Sequence, residues 1–158
     1  MDSRVALIVL CVAIAACSTA SDTRLESLDE LGDRLARTIC SRAPVKVESV
    51  PNPHVEGQID RLETRQCASG SSTLYIGETT SDPNGLAVAV NILAEGSGLP
   101  PLLEIGHPIE HVMQSHGPPQ EQAPGSVTYG LGIEGIDTIT IRHEAGRITS
   151  IQWAWLVD

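Results

Sequence analysis

The chain has 158 residues, a formal net charge of −10 and 41% apolar residues, a globular composition for one ordinary domain or two very small ones. Its ten basic residues are one lysine and nine arginines spread along the sequence, so no basic patch is available to neutralise phosphates or anionic lipid. This excludes a nucleic-acid partner. Phe is absent, so an aliphatic core is expected.

The N-terminal segment combines a short basic head with an apolar run. Arg4 precedes twelve apolar residues, 5–16, which are too few for a membrane-spanning helix of about 20 residues but suit a secretion signal. The run ends in Ala15-Ala16 before Cys17, which resembles the lipobox of bacterial lipoproteins. The resemblance implies that residues 1–16 are removed and that Cys17 is acylated on its thiol and amine, with diacylglycerol and palmitate as the lipids.

The residue after the expected lipid site bears on the location of the protein. Ser18 stands where an aspartate would favour the inner membrane. We therefore expect a lipid anchor in the outer membrane and a domain that faces the periplasm. The alternative is an ordinary secreted protein that is cleaved near Ala16 or Ala20.

Two further cysteines follow the expected cleavage site. Cys40 and Cys67 are an even pair in an oxidising compartment, which favours a disulfide between them. The bridge would close a loop of the 26 residues 41–66 and would stabilise the fold by about 3 kcal/mol. Two buried free thiols are the alternative.

The first half of the mature chain has the pattern of a helix followed by strands. After a polar tether, residues 17–22, an apolar stripe at helical spacing and a capping box predict a helix from about Thr23 to Cys40. Short apolar or alternating runs predict strands over residues 45–50, 58–66, 72–76 and 86–93. The loop 96–101 separates an N-terminal α+β half, residues 23–95, from a second half, residues 102–158.

The second half has clearer boundaries. Pro108 can open a helix and Gly117 can close it, with two prolines after it. Strands are predicted around residues 127–131, 137–143 and 148–157, with a hairpin turn in which Gly146 takes a positive φ. These elements predict an α+β fold with helices packed on one face of an antiparallel sheet. The two halves are candidates for diverged copies of one helix-plus-strands unit.

A spaced motif lies in this second half. Its residues are Gly106, Val112, Gly117 and Pro119, followed by Tyr129 and the strand from Arg147 to Trp153. Over about residues 105–155 the chain resembles the BamE (SmpA/OmlA) lipoproteins and the wider group with the fold of β-lactamase inhibitor protein. The resemblance implies a non-enzymatic interaction module that supports the assembly of barrel proteins at the outer membrane. Other proteins of this fold bind and inhibit enzymes.

A histidine motif is the strongest suggestion of catalysis. Residues 107–111 read H-x-x-E-H, the inverted zinc-protease motif. Pro108 places His107 at or before the helix start, and strands occupy the region where such a protease supplies its third ligand. We therefore predict no catalytic residue, no cofactor and no enzymatic activity. A non-catalytic metal site would use His107, His111 and His143.

Three aromatic residues are the candidate partner-binding residues. Trp153 and Trp155 share one face of the last predicted strand, and Tyr129 lies in another strand. Burial of these rings against a helix is the alternative. We expect a non-catalytic structural or interaction module that binds a protein partner during envelope assembly. The alternative function is a periplasmic inhibitor or immunity protein against a hydrolase, since acidic charge suits a basic enzyme.

Overall fold

A computed structural model of the protein describes residues 28–78, 84–131 and 136–156. Helix α1 covers residues 28–38 of this part. The remaining elements are β1 (Val45–Pro51), β2 (Ile59–Cys67), β3 (Gly70–Ile76), β4 (Leu86–Ile92), a 3-10 helix (Pro101–Leu103), α2 (Ile109–His116), β5 (Glu121–Ala123), β6 (Ser126–Leu131), β7 (Asp137–Glu144) and β8 (Arg147–Ala154).

All eight strands of the described residues belong to one antiparallel sheet. Their order is β1-β2-β3-β4-β8-β7-β6-β5, so the sheet consists of two four-stranded meanders joined through β4 and β8. At the junction, Val90 lies opposite Trp153 and Ile92 lies opposite Ile151. Each meander follows an α-helix in the chain, and the long connection from β4 to β5 contains the 3-10 helix and α2.

The predicted fold class, α+β with helices packed on one face of the sheet, is wrong. The described residues are mostly an eight-stranded sheet, accompanied by two short α-helices. Hydrophobic periodicity predicts strands one at a time, whereas the merger of the halves depends on the pairing of β4 with β8, which are far apart in sequence. The prediction also omitted β5, whose three residues are all exposed, so the second meander has four strands instead of three.

The core lies on one face of the sheet. Alternate residues of the strands point into it, and the buried side of α1 belongs to the same cluster. Trp153, in β8, is fully buried and its Nε1 donates a hydrogen bond to the Leu28 carbonyl at 3.0 Å. A Cβ atom on Gly32 would overlap the Trp153 indole, so α1 and β8 approach as closely as their side chains allow.

A disulfide joins the region after α1 to the end of β2. The predicted partners Cys40 and Cys67 form it, with their Cα atoms 5.5 Å apart. The predicted positive φ of Gly146 in the β7–β8 turn is confirmed, at 76°. Gly117 ends α2 as predicted, with φ 84° and ψ −168°, which lies outside the left-handed helical region. These local features came from cysteine spacing and turn chemistry.

Candidate interaction surface

The face of the sheet opposite the core is a candidate functional surface, which we call the open face. Successive residues of a strand point to opposite faces, so this surface is formed by the residues that alternate with the buried ones. Across the five central strands, β3, β4, β8, β7 and β6, the open face forms two rows that run at right angles to the strands.

The first row consists of side chains that donate or accept hydrogen bonds. It follows the strand register through Ser71, Asn91, Gln152, Thr140 and Thr128. Neighbouring strands lie about 4.8 Å apart, so five residues in register span about 19 Å. Gln152 is exposed and the other four are half-buried. This row therefore presents a line of neutral polar groups that solvent or a partner can reach.

The second row lies one open-face position along the strands and consists of small side chains. Its residues are Thr73, Ala89, Ala154, Thr138 and Gly130. The second-row side chain is shorter than its first-row neighbour in β4, β8 and β6, but not in β3 or β7.

Neither row contains a charged residue. The whole chain has 10 Lys and Arg and 20 Asp and Glu residues, so the centre of the open face departs from the chain's average composition. Depletion of charge is one part of the composition of the centre of protein interfaces, whereas the aromatic residues, Met and Arg that are enriched there are absent from the two rows. These two rows can therefore bind a neutral surface without stripping water from an ion.

A buried carboxylate lies at one end of this surface. Asp60, in β2, is 3% exposed and accepts hydrogen bonds from the Tyr75 hydroxyl, Asn52 Nδ2 at 2.6 Å and Gln58 Nε2 at 3.0 Å, with the Glu78 backbone N–H at 3.4 Å. The hydrogen bond from Tyr75 holds the pKa of Asp60 below its ordinary value, against the opposing effect of burial. The same hydrogen bond raises the pKa of the Tyr75 hydroxyl.

This carboxylate orders the loop between β1 and β2. Asn52 donates to Asp60 with its amide nitrogen, and its Oδ1 accepts hydrogen bonds from the backbone N–H groups of His54 and Val55 at 2.8 and 2.7 Å. Such a side-chain-to-backbone turn fixes a loop without regular structure. We did not predict this network from the sequence, because it requires Tyr75 and Asp60 to meet on neighbouring strands.

The predicted partner-binding aromatics occupy a different part of the molecule. Tyr129 and Trp153 are 3% and 0% exposed and belong to the core, which is the alternative considered above. Burial raises the pKa of Tyr129, whose hydroxyl donates to the Gly117 carbonyl at 3.2 Å. Trp155 is half-buried, and its Nε1 donates to Asp29 Oδ1 at 2.7 Å. These rings link helices to the sheet and offer a partner little surface.

The two motif histidines come together at the start of α2. His107 Nε2 and His111 Nδ1 lie 3.2 Å apart, with ring centroids 5.2 Å apart. In the described part of the chain, no group of three or more His, Cys, Asp or Glu residues is placed to hold a metal, so His143 does not complete a set with them. Among the described residues, His107 and His111 therefore have no third ligand of these types beside them.

The expected signal peptide, residues 1–16, the lipid site Cys17 and the tether, residues 17–22, all lie outside the described residues. Within the described ranges, no helix has the length and apolar character needed to cross a membrane. Comparison with protein families, curated proteins and solved structures gave no match. The resemblance to the BamE lipoproteins therefore stays a prediction from the sequence.

Proposed function

We propose that this chain is a lipid-anchored protein of the bacterial envelope that binds a protein partner through its open face and catalyses no reaction. The observation that supports this proposal is the pair of uncharged rows across five strands of an acidic chain. Ser, Thr, Asn and Gln side chains can pair with a partner's polar groups and cost less to desolvate than charged ones.

The dimensions of the sheet suit this role. Seven spacings of about 4.8 Å between the eight strands, and a strand length of six residues at about 3.4 Å each, give a face on the order of 700 Å². A standard protein interface buries about 800 Å² on each partner. The open face therefore supplies most of one interface, and the ordered β1–β2 loop at its end can supply more.

The lipid anchor, if Cys17 carries it, keeps the domain near the membrane. Ten residues, 18–27, separate Cys17 from Leu28. Because a fully extended chain spans at most about 3.6 Å per residue, Leu28 lies within about 40 Å of the membrane surface. We therefore expect the partner among envelope proteins, as the resemblance to BamE also implies.

The proposal is tested by photo-crosslinking in cells from two matched positions. Gln152 is exposed in the first row of the open face, whereas Gln114 is exposed on α2. We expect a photoreactive residue at position 152 to yield a covalent adduct and the same residue at position 114 to yield none. Adducts from position 114 alone, or equal adducts from both, would place the partner elsewhere and contradict the proposal.

Identification of the crosslinked protein by mass spectrometry distinguishes the two functions that the sequence leaves open. Barrel-assembly subunits or outer-membrane proteins would support a role in envelope assembly. A single basic hydrolase would support an inhibitor, which the net charge of −10 also suits. Once the partner is identified, Gln152→Arg should lower the affinity for it at least about tenfold, because the substitution buries an unpaired charge in the interface. Gln114→Arg should leave this affinity unchanged.

A further inference from the structure

His107 and His111 meet in a way that the proposed function does not use. His107 directly precedes the N-cap residue of α2, and His111 lies one helical turn further along. His111 is exposed and His107 is half-buried, so both rings can be reached from solvent. Their facing nitrogens, Nε2 of His107 and Nδ1 of His111, are 3.2 Å apart.

That separation matches the distance between two nitrogens that share one metal ion. Imidazole nitrogens bind Zn²⁺ at about 2.0–2.1 Å. With both nitrogens at that distance, a 3.2 Å separation corresponds to an angle of about 100° at the metal. This angle lies between the values of square or octahedral coordination and of tetrahedral coordination, so either geometry is accessible to a small adjustment of the rings.

We propose that His107 and His111 form a surface chelate for a divalent transition metal, with Cu²⁺ bound most tightly. Imidazole suits copper, nickel and zinc, and affinity for divalent first-row metals peaks at Cu²⁺. Both facing nitrogens must be free of protons to bind the ion, so metal binding would replace the hydrogen bond that these two nitrogens share in the metal-free protein. Water completes the coordination, because no third protein ligand is placed beside the pair in the described residues.

Two charged side chains, those of Glu95 and Arg147, lie beside Gly106, the residue before His107. The Glu95 carboxylate lies beside Gly106, which precedes His107, and would be 3.5 Å from a Cβ at that glycine. On the other side, Arg147 Nη1 donates to the Gly106 carbonyl at 2.8 Å. The affinity of the proposed site is therefore assigned to the two imidazoles.

The test is a titration of the full-length protein with Cu²⁺ alone, using protein purified without a polyhistidine tag. His107→Gln and His111→Gln each remove one ligand and keep a polar side chain of similar length. His54→Gln is the matched control, because His54 is exposed in the β1–β2 loop, away from α2. Circular dichroism establishes that each variant is folded.

We expect one equivalent of Cu²⁺ to bind the wild type and the His54→Gln variant. Its affinity should fall at least about tenfold in each of the other two variants, since changes outside the first coordination shell already cost about 10–100-fold. The proposal would be overturned if the His107→Gln/His111→Gln double variant bound Cu²⁺ as tightly as the wild type. It would also be overturned if His54→Gln lost as much Cu²⁺ affinity as the His107→Gln and His111→Gln variants. Electron paramagnetic resonance of the wild type provides a second readout that needs no variant. Two coupled imidazoles are expected, and a single one would refute the chelate.

Discussion

On the open face, the carboxylate of Asp60 accepts hydrogen bonds from three side chains and one backbone N–H group. A buried carboxylate is stable only when its oxygens have partners, and Asp60 has them from Tyr75, Asn52 and Gln58. Because Asn52 in turn holds the β1–β2 loop, one residue connects the sheet to a loop beside the proposed interface. The Asp60 network is therefore a structural element of the surface.

Removing the Tyr75 hydroxyl should destabilise the protein in a pH-dependent way. Because the pKa of Asp60 is lowered in the folded protein, the ionised carboxylate stabilises the fold at pH values above its ordinary pKa of 3.8. This stabilisation is lost as the pH falls through the pKa that Asp60 has in the folded protein. The destabilisation caused by Tyr75→Phe should therefore be greatest in the neutral range and shrink in acid. Because the pKa of Tyr75 is raised in the folded protein, the destabilisation caused by Tyr75→Phe should also shrink as the pH rises above the ordinary tyrosine pKa of 10.0.

Urea unfolding of the wild type and Tyr75→Phe across this pH range measures the effect. Tyr129→Phe is the control, because it removes the same group from a residue whose hydroxyl bonds to a backbone carbonyl. The destabilisation caused by Tyr129→Phe should be the same at acid and at neutral pH. A loss of stability in Tyr75→Phe that is equally large at acid and neutral pH would contradict the role assigned to Asp60.

At the scale of elements, the contact between α1 and β8 depends on a glycine. Glycine disfavours helices by about 1 kcal/mol relative to alanine, so its presence in α1 requires a reason. The reason is Trp153, whose indole occupies the space that a Cβ of Gly32 would need. The hydrogen bond from Trp153 to the Leu28 carbonyl fixes the helix at this distance.

Gly32→Ala should destabilise the protein, although the same change at an open helical position stabilises. Overpacking of a filled core costs about 1–3 kcal/mol, which exceeds the gain in helix propensity. Glu30→Ala, at an exposed position of α1, should change stability by no more than about 0.5 kcal/mol. Thermal and urea unfolding of both variants compare these outcomes, and a more stable Gly32→Ala protein would show that the contact with Trp153 is loose.

At the scale of the whole molecule, the two meanders share one sheet and one core. The junction pairs Val90 with Trp153 and Ile92 with Ile151, and all four side chains are fully buried. Neither meander can lose its last strand without exposing the apolar surface of the other. We therefore expect the two halves to unfold as one cooperative unit.

Ile92→Ala tests this cooperation, because Ile92 belongs to the first half and packs against the second. Truncation of a buried isoleucine costs about 2–5 kcal/mol. Native-state hydrogen exchange should show this loss equally for the amides of β2 and of β6, which lie in different halves. Val47 is 55% exposed in β1. Val47→Ala should therefore leave the exchange protection of the β2 and β6 amides nearly unchanged. Protection in β6 that survives Ile92→Ala would show that the halves are separate units.

The sequence by itself determined the local features of this protein. Periodicity placed the strand cores and the buried stripe of α1, because alternation and helical spacing are encoded by adjacent residues. Turn chemistry placed the positive φ of Gly146, and the even pair of cysteines after the expected signal peptide indicated the Cys40–Cys67 disulfide. The lipid anchor at Cys17 stays a prediction of this kind, since it rests on the residues around the cleavage site alone.

Only the tertiary structure decided which elements meet. Alternation shows which residues of a strand share a face, but it does not show which strand lies beside it or which face is covered. The β4–β8 junction, the burial of Trp153, the Asp60 network and the uncharged rows of the open face all follow from contacts between residues distant in sequence. These contacts are selected by the free energy of burying apolar surface over the whole chain, which no local pattern contains.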